Sequence, residues 1–402
     1  MPYNKCLSLI KTLLLLALVL LCPSAHSIDV VVDNPINYNS TFMRARGNSL
    51  PKELNQVSVN SIVYVSNEQI TGLGFISNND LAILDKTGQV WIFNIDNNTI
   101  LHLASLNPGI YWGLYPAKSG RFLIKGNYRS IPSYEQRYVY YLLDQNGNIL
   151  WSNNEFQVSE LLFTGRNFVG LSVAPSGNAA LYALTEKGNA KLVAELGMEL
   201  DYYNWLMPSE HGLLWLGQSK GPYLIGDENG EPEINLWTSS WNKGAFRVIL
   251  GSKDTMYANL HGNELVKLNR TSNNIEIIPY LSINDLSTVP NSHPISFAES
   301  NQIVAVLYDD ILIKYVNNEL LIWQQDLLGP ENNLWGHLFV DLNCNNYLII
   351  YEDRIVFGND KINSIRIPGK IITGIQFSQD FQYAAMCTEN GQLIILNISY
   401  RS

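Results

Sequence analysis

An all-β chain folded as a β-propeller is what this sequence predicts, on three observations. Short apolar runs alternate with turns rich in Ser, Asn, Asp and Gly at intervals of about 8–12 residues. A unit of several such runs recurs roughly every 40 residues, the period of a four-stranded propeller blade. No stretch carries a sustained apolar period of about 3.6 residues, so helices should be few.

The hairpin at 138–154, YVYYLLDQNGNILWSNN, shows the building block. One apolar run reaches the turn Asp144-Gln145-Asn146-Gly147, and a second leaves it carrying Trp151. Alone, such a hairpin is marginal, because nothing covers half its apolar surface. Repetition supplies the cover. The first unit reads ITGLGFIS, DLAILD, a Lys86-Thr87-Gly88 turn and QVWIFNI; the last reads IITGIQFS, YAAMCTE, an Asn390-Gly391 turn and QLIILNI. Between them lie units near 111–152, 168–196, 203–237, 245–270, 294–323 and 334–367. That makes eight blades, with seven as the alternative because the units near 203–237 and 245–270 are poorly delimited.

A ring must pair its first and last blades, since an open edge invites aggregation. The orphan run at 59–66, VNSIVYVS, is the strand expected to close it, by pairing into the blade that holds QLIILNI at 392–398. The propeller domain is then 58–402, preceded by an irregular, polar extension at 28–57 with Pro35, Pro51 and Arg44-Ala45-Arg46.

Residues 1–27 have another character. Lys5 and Lys11 flank an apolar run at 12–21, followed by Cys22-Pro23 and Ala25-His26-Ser27. A basic start, a short apolar run and a small-x-small site make a secretory signal cleaved after Ser27; a membrane span needs about 20 apolar residues. Leu21 before Cys22 argues against lipidation, where a smaller residue is the rule. The protein is expected in a secreted or periplasmic compartment.

Composition narrows the partners. The chain is 46% hydrophobic and 15% charged, as globular chains are. Its net charge is −10, and losing Lys5 and Lys11 makes the mature chain more acidic still. An acidic chain with no Lys/Arg cluster argues against nucleic acid and anionic membranes. A protein or glycan partner is expected, with no membrane insertion after cleavage and a monomeric state. Cys344 and Cys387 remain after cleavage; a disulfide between neighbouring blades and two separate buried thiols both stay open.

Two segments resemble a known repeat. YLLDQNGNILW at 141–151 and ILDKTGQVW at 83–91 are similar to the pyrroloquinoline-quinone-type propeller repeat, with Asp85, Thr87, Gly88 and Trp91 in register; Asp227 and Gly230 mark a degenerate copy. The first and last units, with Phe75-Ile76-Ser77 and Phe377-Ser378 before their turns, look like WD-repeats. The resemblance implies a rigid exported propeller. Quinone enzymes of that kind carry a vicinal disulfide, and this chain has no Cys-Cys pair, so the resemblance implies the non-quinone-binding branch, which includes scaffolds for outer-membrane assembly. The recurrent Asp and Gly read as turn chemistry.

Candidate chemistry is sparse. Asp341, Asn343, Asn345, the Tyr347 carbonyl and Glu352 match positions 1, 3, 5, 7 and 12 of a calcium loop, though Asn346 stands where Gly is wanted. An Asn-rich turn is the competing reading; no other cofactor is expected. Asp309-Asp310 and Glu352-Asp353 lie at strand ends, where facing carboxylates in an axial pocket would serve an enzyme acting on a glycan or small molecule. No His pair has metal spacing, and no nucleophile elbow or phosphate loop occurs. Aromatics near strand ends, Trp112, Tyr203, Trp205, Trp241 and Trp335 with His337, are the candidate binding residues, because Trp and Tyr dominate interface energetics. Sequons stand at Asn39, Asn97, Asn269 and Asn397. The functional expectation is a non-enzymatic scaffold or binding module that works through one face or its central funnel, with the enzyme as the alternative.

Overall fold

The computed structural model describes residues 46–401 apart from segments between elements, the longest being 129–137, 237–244, 278–295 and 328–335; side chains at 208–247 also lie outside it. The signal segment, and the calls on Tyr203, Trp241, Trp335, Asp309 and Asp310, fall outside the described residues.

Among the described residues the ladders make eight four-stranded sheets, each antiparallel throughout. Their first strands are Ile70–Phe75, Gly109–Pro116, Leu161–Phe163, Asn204–Ser209, Ala245–Leu250, Ser296–Ser300, Gly336–Val340 and Gln376–Phe377. First strands touch each other between the first and second, second and third, third and fourth, sixth and seventh, and eighth and first sheets, which places them nearest the axis of a β-propeller.

What makes a sheet a blade is the core it shares with its neighbour. Seven such cores are described. They run from the fifth–sixth junction, where Ile249 and Tyr257 meet Phe297 and Val306, round to the third–fourth, where Leu162 and Leu171 meet Leu206. The expectation of eight blades in one closed ring is corrected to what the described residues carry: eight sheets joined at seven described junctions, the fourth-sheet side chains beyond Met207 lying outside them.

The turns show why the repeat looks as it does. Asp85 is fully buried, and its Oδ1 accepts from the Thr87 amide and hydroxyl and the Gln89 amide at 2.9, 2.7 and 3.0 Å. Asp144 accepts from the Asn146 and Asn148 amides, both at 2.9 Å. In both turns the third residue after the Asp is a glycine, Gly88 or Gly147, with φ of +89° or +82°. A Cβ there costs energy, so the Asp-x-x-Gly signature is backbone chemistry and not a site.

The ring is closed from its N-terminus. Leu54–Tyr64 pairs antiparallel with Gln392–Tyr400, from Leu54 opposite Tyr400 to Tyr64 opposite Gln392, as the outermost strand of the eighth sheet. The expected pairing of the 59–66 run with the last blade holds from Val59 to Tyr64, and the closing strand reaches further back than expected, to Leu54. Its N-terminal half was missed because Gln56, Ser58 and Asn60 interrupt the apolar pattern; Leu54 and Val57 are nevertheless buried in the seventh–eighth core. Residues 46–50, assigned to an irregular extension, are docked on the ring: Gly47 and Leu50 are buried.

Candidate functional site

The first strands are buried along nearly all their length. Among their described side chains the exposed ones are Ile110, Trp112 and His337. All three stand in the early part of their strands, Gly109–Pro116 and Gly336–Val340, and so belong to one end of the ring. Ile110 is 48% exposed and Trp112 38%.

The exposure of Trp112 has a backbone cause. Tyr111 pairs with Gly126 and Gly113 with Lys125, leaving Trp112 as the extra residue of a β-bulge. A bulge re-aims the side chain it carries. Gly126 makes room beside it: a Cβ there would stand 2.3 Å from the Tyr111 ring.

Behind Trp112 is a chain of fixed groups. Its ring stands edge-on to Tyr138, with centroids 6.0 Å apart at 77°. Tyr138 in turn stands edge-on to Tyr140 at 6.5 Å. Lys125, 3% exposed, places Nζ 4.1 Å from the Tyr138 ring centroid and donates to the Val158 carbonyl at 2.8 Å. A buried ammonium needs partners of this kind; over an aromatic face it gains up to about 2 kcal/mol when desolvated. Burial pushes the Tyr140 hydroxyl far above its ordinary pKa, so it stays neutral beside Val158. Trp112 is thus held against rings whose positions are themselves fixed by packing.

The other sequence-derived candidates fare differently. Trp205 lies in the first strand Asn204–Ser209, and its side chain is outside the described residues. The calcium-loop reading is corrected. Asp341 is fully buried, and its carboxylate is occupied by the Asn345 amide at 2.8 Å, the Asn346 side-chain amide at 2.5 Å and the Leu54 amide at 3.2 Å. Asn343 accepts from Asn301 at 3.0 Å, and Asn345 points its amide at Glu53. Tyr347–Tyr351 is an extended strand that carries Glu352 roughly 16 Å away from the turn at about 3.3 Å per residue. There Glu352 pairs with Lys370 at 2.8 Å. Among the described residues no group of three His, Cys, Asp or Glu side chains is placed to hold a metal.

The open disulfide alternative is likewise corrected. Cys344 lies in the sixth–seventh core, its thiol directed at the Ser300 and Ile303 carbonyls at 3.7 and 3.5 Å, whereas Cys387 lies in the eighth–first core. Burial pushes the Cys344 thiol up to about 12 and that of Cys387 well above its ordinary value. Of the strand-end carboxylates, Asp353 is bound by Arg354 at 2.9 Å, and that hydrogen bond holds its pKa below the usual range. Asp353 and Glu352 are thus each paired with a cation, and their expected convergence with Asp309 and Asp310 lies outside the described residues.

Sequence reasoning missed Ile110, Lys125 and Tyr138. Lys125 sits in FLIKGNY, where a lysine between apolar residues signals either an edge or a buried partner; a buried partner is what it has.

No family model and no curated protein matches the chain. Solved structures do. The structure of Saccharomyces cerevisiae Sqt1 matches at 10% identity over 85% of this chain and 100% of that one, with a TM-score of 0.55. The WD40 β-propeller domain of Doa1 matches at 8% identity over 85% of this chain and 97% of that one, with a TM-score of 0.45. At such identities the likeness is one of fold alone.

Proposed function

We propose that this protein is an exported, non-enzymatic propeller that binds a protein partner at the ring end where Ile110, Trp112 and His337 emerge. One observation carries this reading: on first strands that are otherwise buried, a bulge turns a tryptophan outward beside an exposed isoleucine. Trp is the residue type most enriched among interface hot spots, and Trp112 is backed by the fixed rings that such anchors need. The turn carboxylates Asp85, Asp144 and Asp341 are committed to backbone amides, which leaves them to structure and not to chemistry.

The test is capture of the partner from the source organism with tagged protein. Trp112→Ala and Ile110→Ser should each lower capture at least tenfold, while Leu101→Ser, at a 64% exposed position on the strand Thr99–Ser105, leaves it unchanged. Equal capture by all three variants would remove the reading. The export part has its own check: the mature protein should begin at Ile28, and recovery of a protein that retains residues 1–27 would refute it.

A further inference from the structure

At the other end of the ring the first strands finish, and residues 46–50 run across those ends. Arg46 to Ser49 form a tight turn, with the Ser49 amide donating to the Arg46 carbonyl at 3.0 Å and positive φ at both central residues, Gly47 (+67°) and Asn48 (+55°). Gly and Asn are the residues such a turn demands. From it the segment touches three consecutive sheets. The Gly47 carbonyl accepts from the Glu299 amide at 2.7 Å, and the Asn48 side chain donates to the Phe297 carbonyl at 3.0 Å, both on the sixth sheet. Ser49 bridges Val340 of the seventh sheet in parallel; the Val340 amide donates to the Asn48 carbonyl and its carbonyl accepts from the Leu50 amide. Arg46 lies 5.0 Å over the Phe381 ring of the eighth sheet, and Leu50 is fully buried with Phe339 and Phe377.

These contacts resemble strand addition only at Ser49, which bridges Val340; the turn before it satisfies Phe297 and Glu299. The axial edge of a first strand leaves backbone groups unpaired, and the strap satisfies them while pockets select its side chains. Selection is visible at each position. A Cβ on Gly47 would meet the Glu299 carbonyl at 2.7 Å and the Leu250 carbonyl at 3.0 Å. Asn48 supplies the donor that Phe297 uses, and Leu50 fills an apolar hole.

We propose that the ends of the sixth and seventh first strands form a peptide-recognition groove for a turn-forming Gly-Asn-Ser-Leu segment, which the chain fills with its own residues 47–50. The groove lies at the end of the ring opposite Trp112, so its occupancy is independent of the binding proposed there.

The test uses full-length protein carrying Gly47→Val, which makes the turn strained and the groove too tight for its own strap. A labelled peptide of residues 44–51 should bind this variant at least tenfold more tightly than it binds the wild type, whose groove is filled. The same peptide with Val for Gly should not bind. Hydrogen exchange at the Glu299 and Val340 amides should speed up in the variant and slow again with the wild-type peptide. A folded variant that leaves those amides protected, or loses their protection yet ignores the peptide, overturns the proposal. Should Gly47→Val fail to fold, Asn48→Ala decides: faster exchange at Glu299 and Val340 supports the groove, and exchange unchanged from wild type overturns it.

Discussion

The backbone amide of Leu54 donates to the buried carboxylate of Asp341 across 3.2 Å, joining residues 287 positions apart. That bond ties the closing strand to the seventh sheet, while the ladder from Val57–Ile398 to Tyr64–Gln392 ties it to the eighth. Asp341→Ala leaves the amides of Leu54 and Asn345 and the side chain of Asn346 without their acceptor. A loss of about 2–4 kcal/mol in urea unfolding is expected, because buried donors left unmade cost their full desolvation. A loss under about 0.5 kcal/mol would mean that the carboxylate is not part of the closure.

Trp112→Ala should separate binding from folding. The side chain is partly exposed, so its removal should cost about 1 kcal/mol of stability or less. Partner affinity should fall by about 2 kcal/mol or more, roughly thirtyfold, as for a hot-spot residue. Titration calorimetry beside thermal unfolding reads both.

Lys125→Met keeps the stem but removes the ammonium from the Tyr138 ring and the Val158 carbonyl. It should cost about 1–3 kcal/mol and also weaken binding at Trp112, through the loss of a fixed Tyr138. Near-ultraviolet circular dichroism should show the aromatic signal fall without loss of the far-ultraviolet β signal.

The two thiols should be silent in the folded protein. With Cys344 raised to about 12 and Cys387 well above its ordinary value, both by burial, neither forms thiolate near neutrality. A thiol-reactive dye should label neither residue of the mature protein until denaturant is added, and then both. Labelling of one without denaturant would show its core to be open.

Asp144 sets a pH dependence. The Asn148 side chain, followed by the Asn148 and Asn146 amides, holds its carboxyl below the ordinary carboxylate range. A depressed folded pKa gives stability that is complete above the unfolded value of about 3.9 and is lost as pH falls through the folded one. Asn148→Ala should raise the Asp144 pKa in a carboxyl-detected NMR titration. Asp144 is exposed, so the change should be visible in its titration and small in overall stability.

Much of this was written in the residues. The Asp85-x-Thr87-Gly88 and Asp144–Gly147 turns repeat because each carboxylate organises its own loop, so their period reports the sheets directly. The proposed binding end was half legible: Trp112 and His337 stood out as residue types, but the bulge that exposes Trp112 depends on register with Lys125 and Gly126, which no local pattern encodes. The strap at 46–50 was illegible for the same reason. Its stability comes from Phe297, Glu299 and Val340, some 250–290 residues away. In the calcium-like run, spacing suggested a loop, yet the apolar continuity of Tyr347–Tyr351 carried the chain into a strand.

The proposed division of the ring into a binding end and a strapped end is tested most directly by photo-cross-linking. A photoreactive amino acid would replace Trp112 in one sample and Leu342, 45% exposed in the turn after Val340, in another. Partner adducts are expected from position 112 and not from position 342. Adducts from 342 alone, or equally from both, would contradict it.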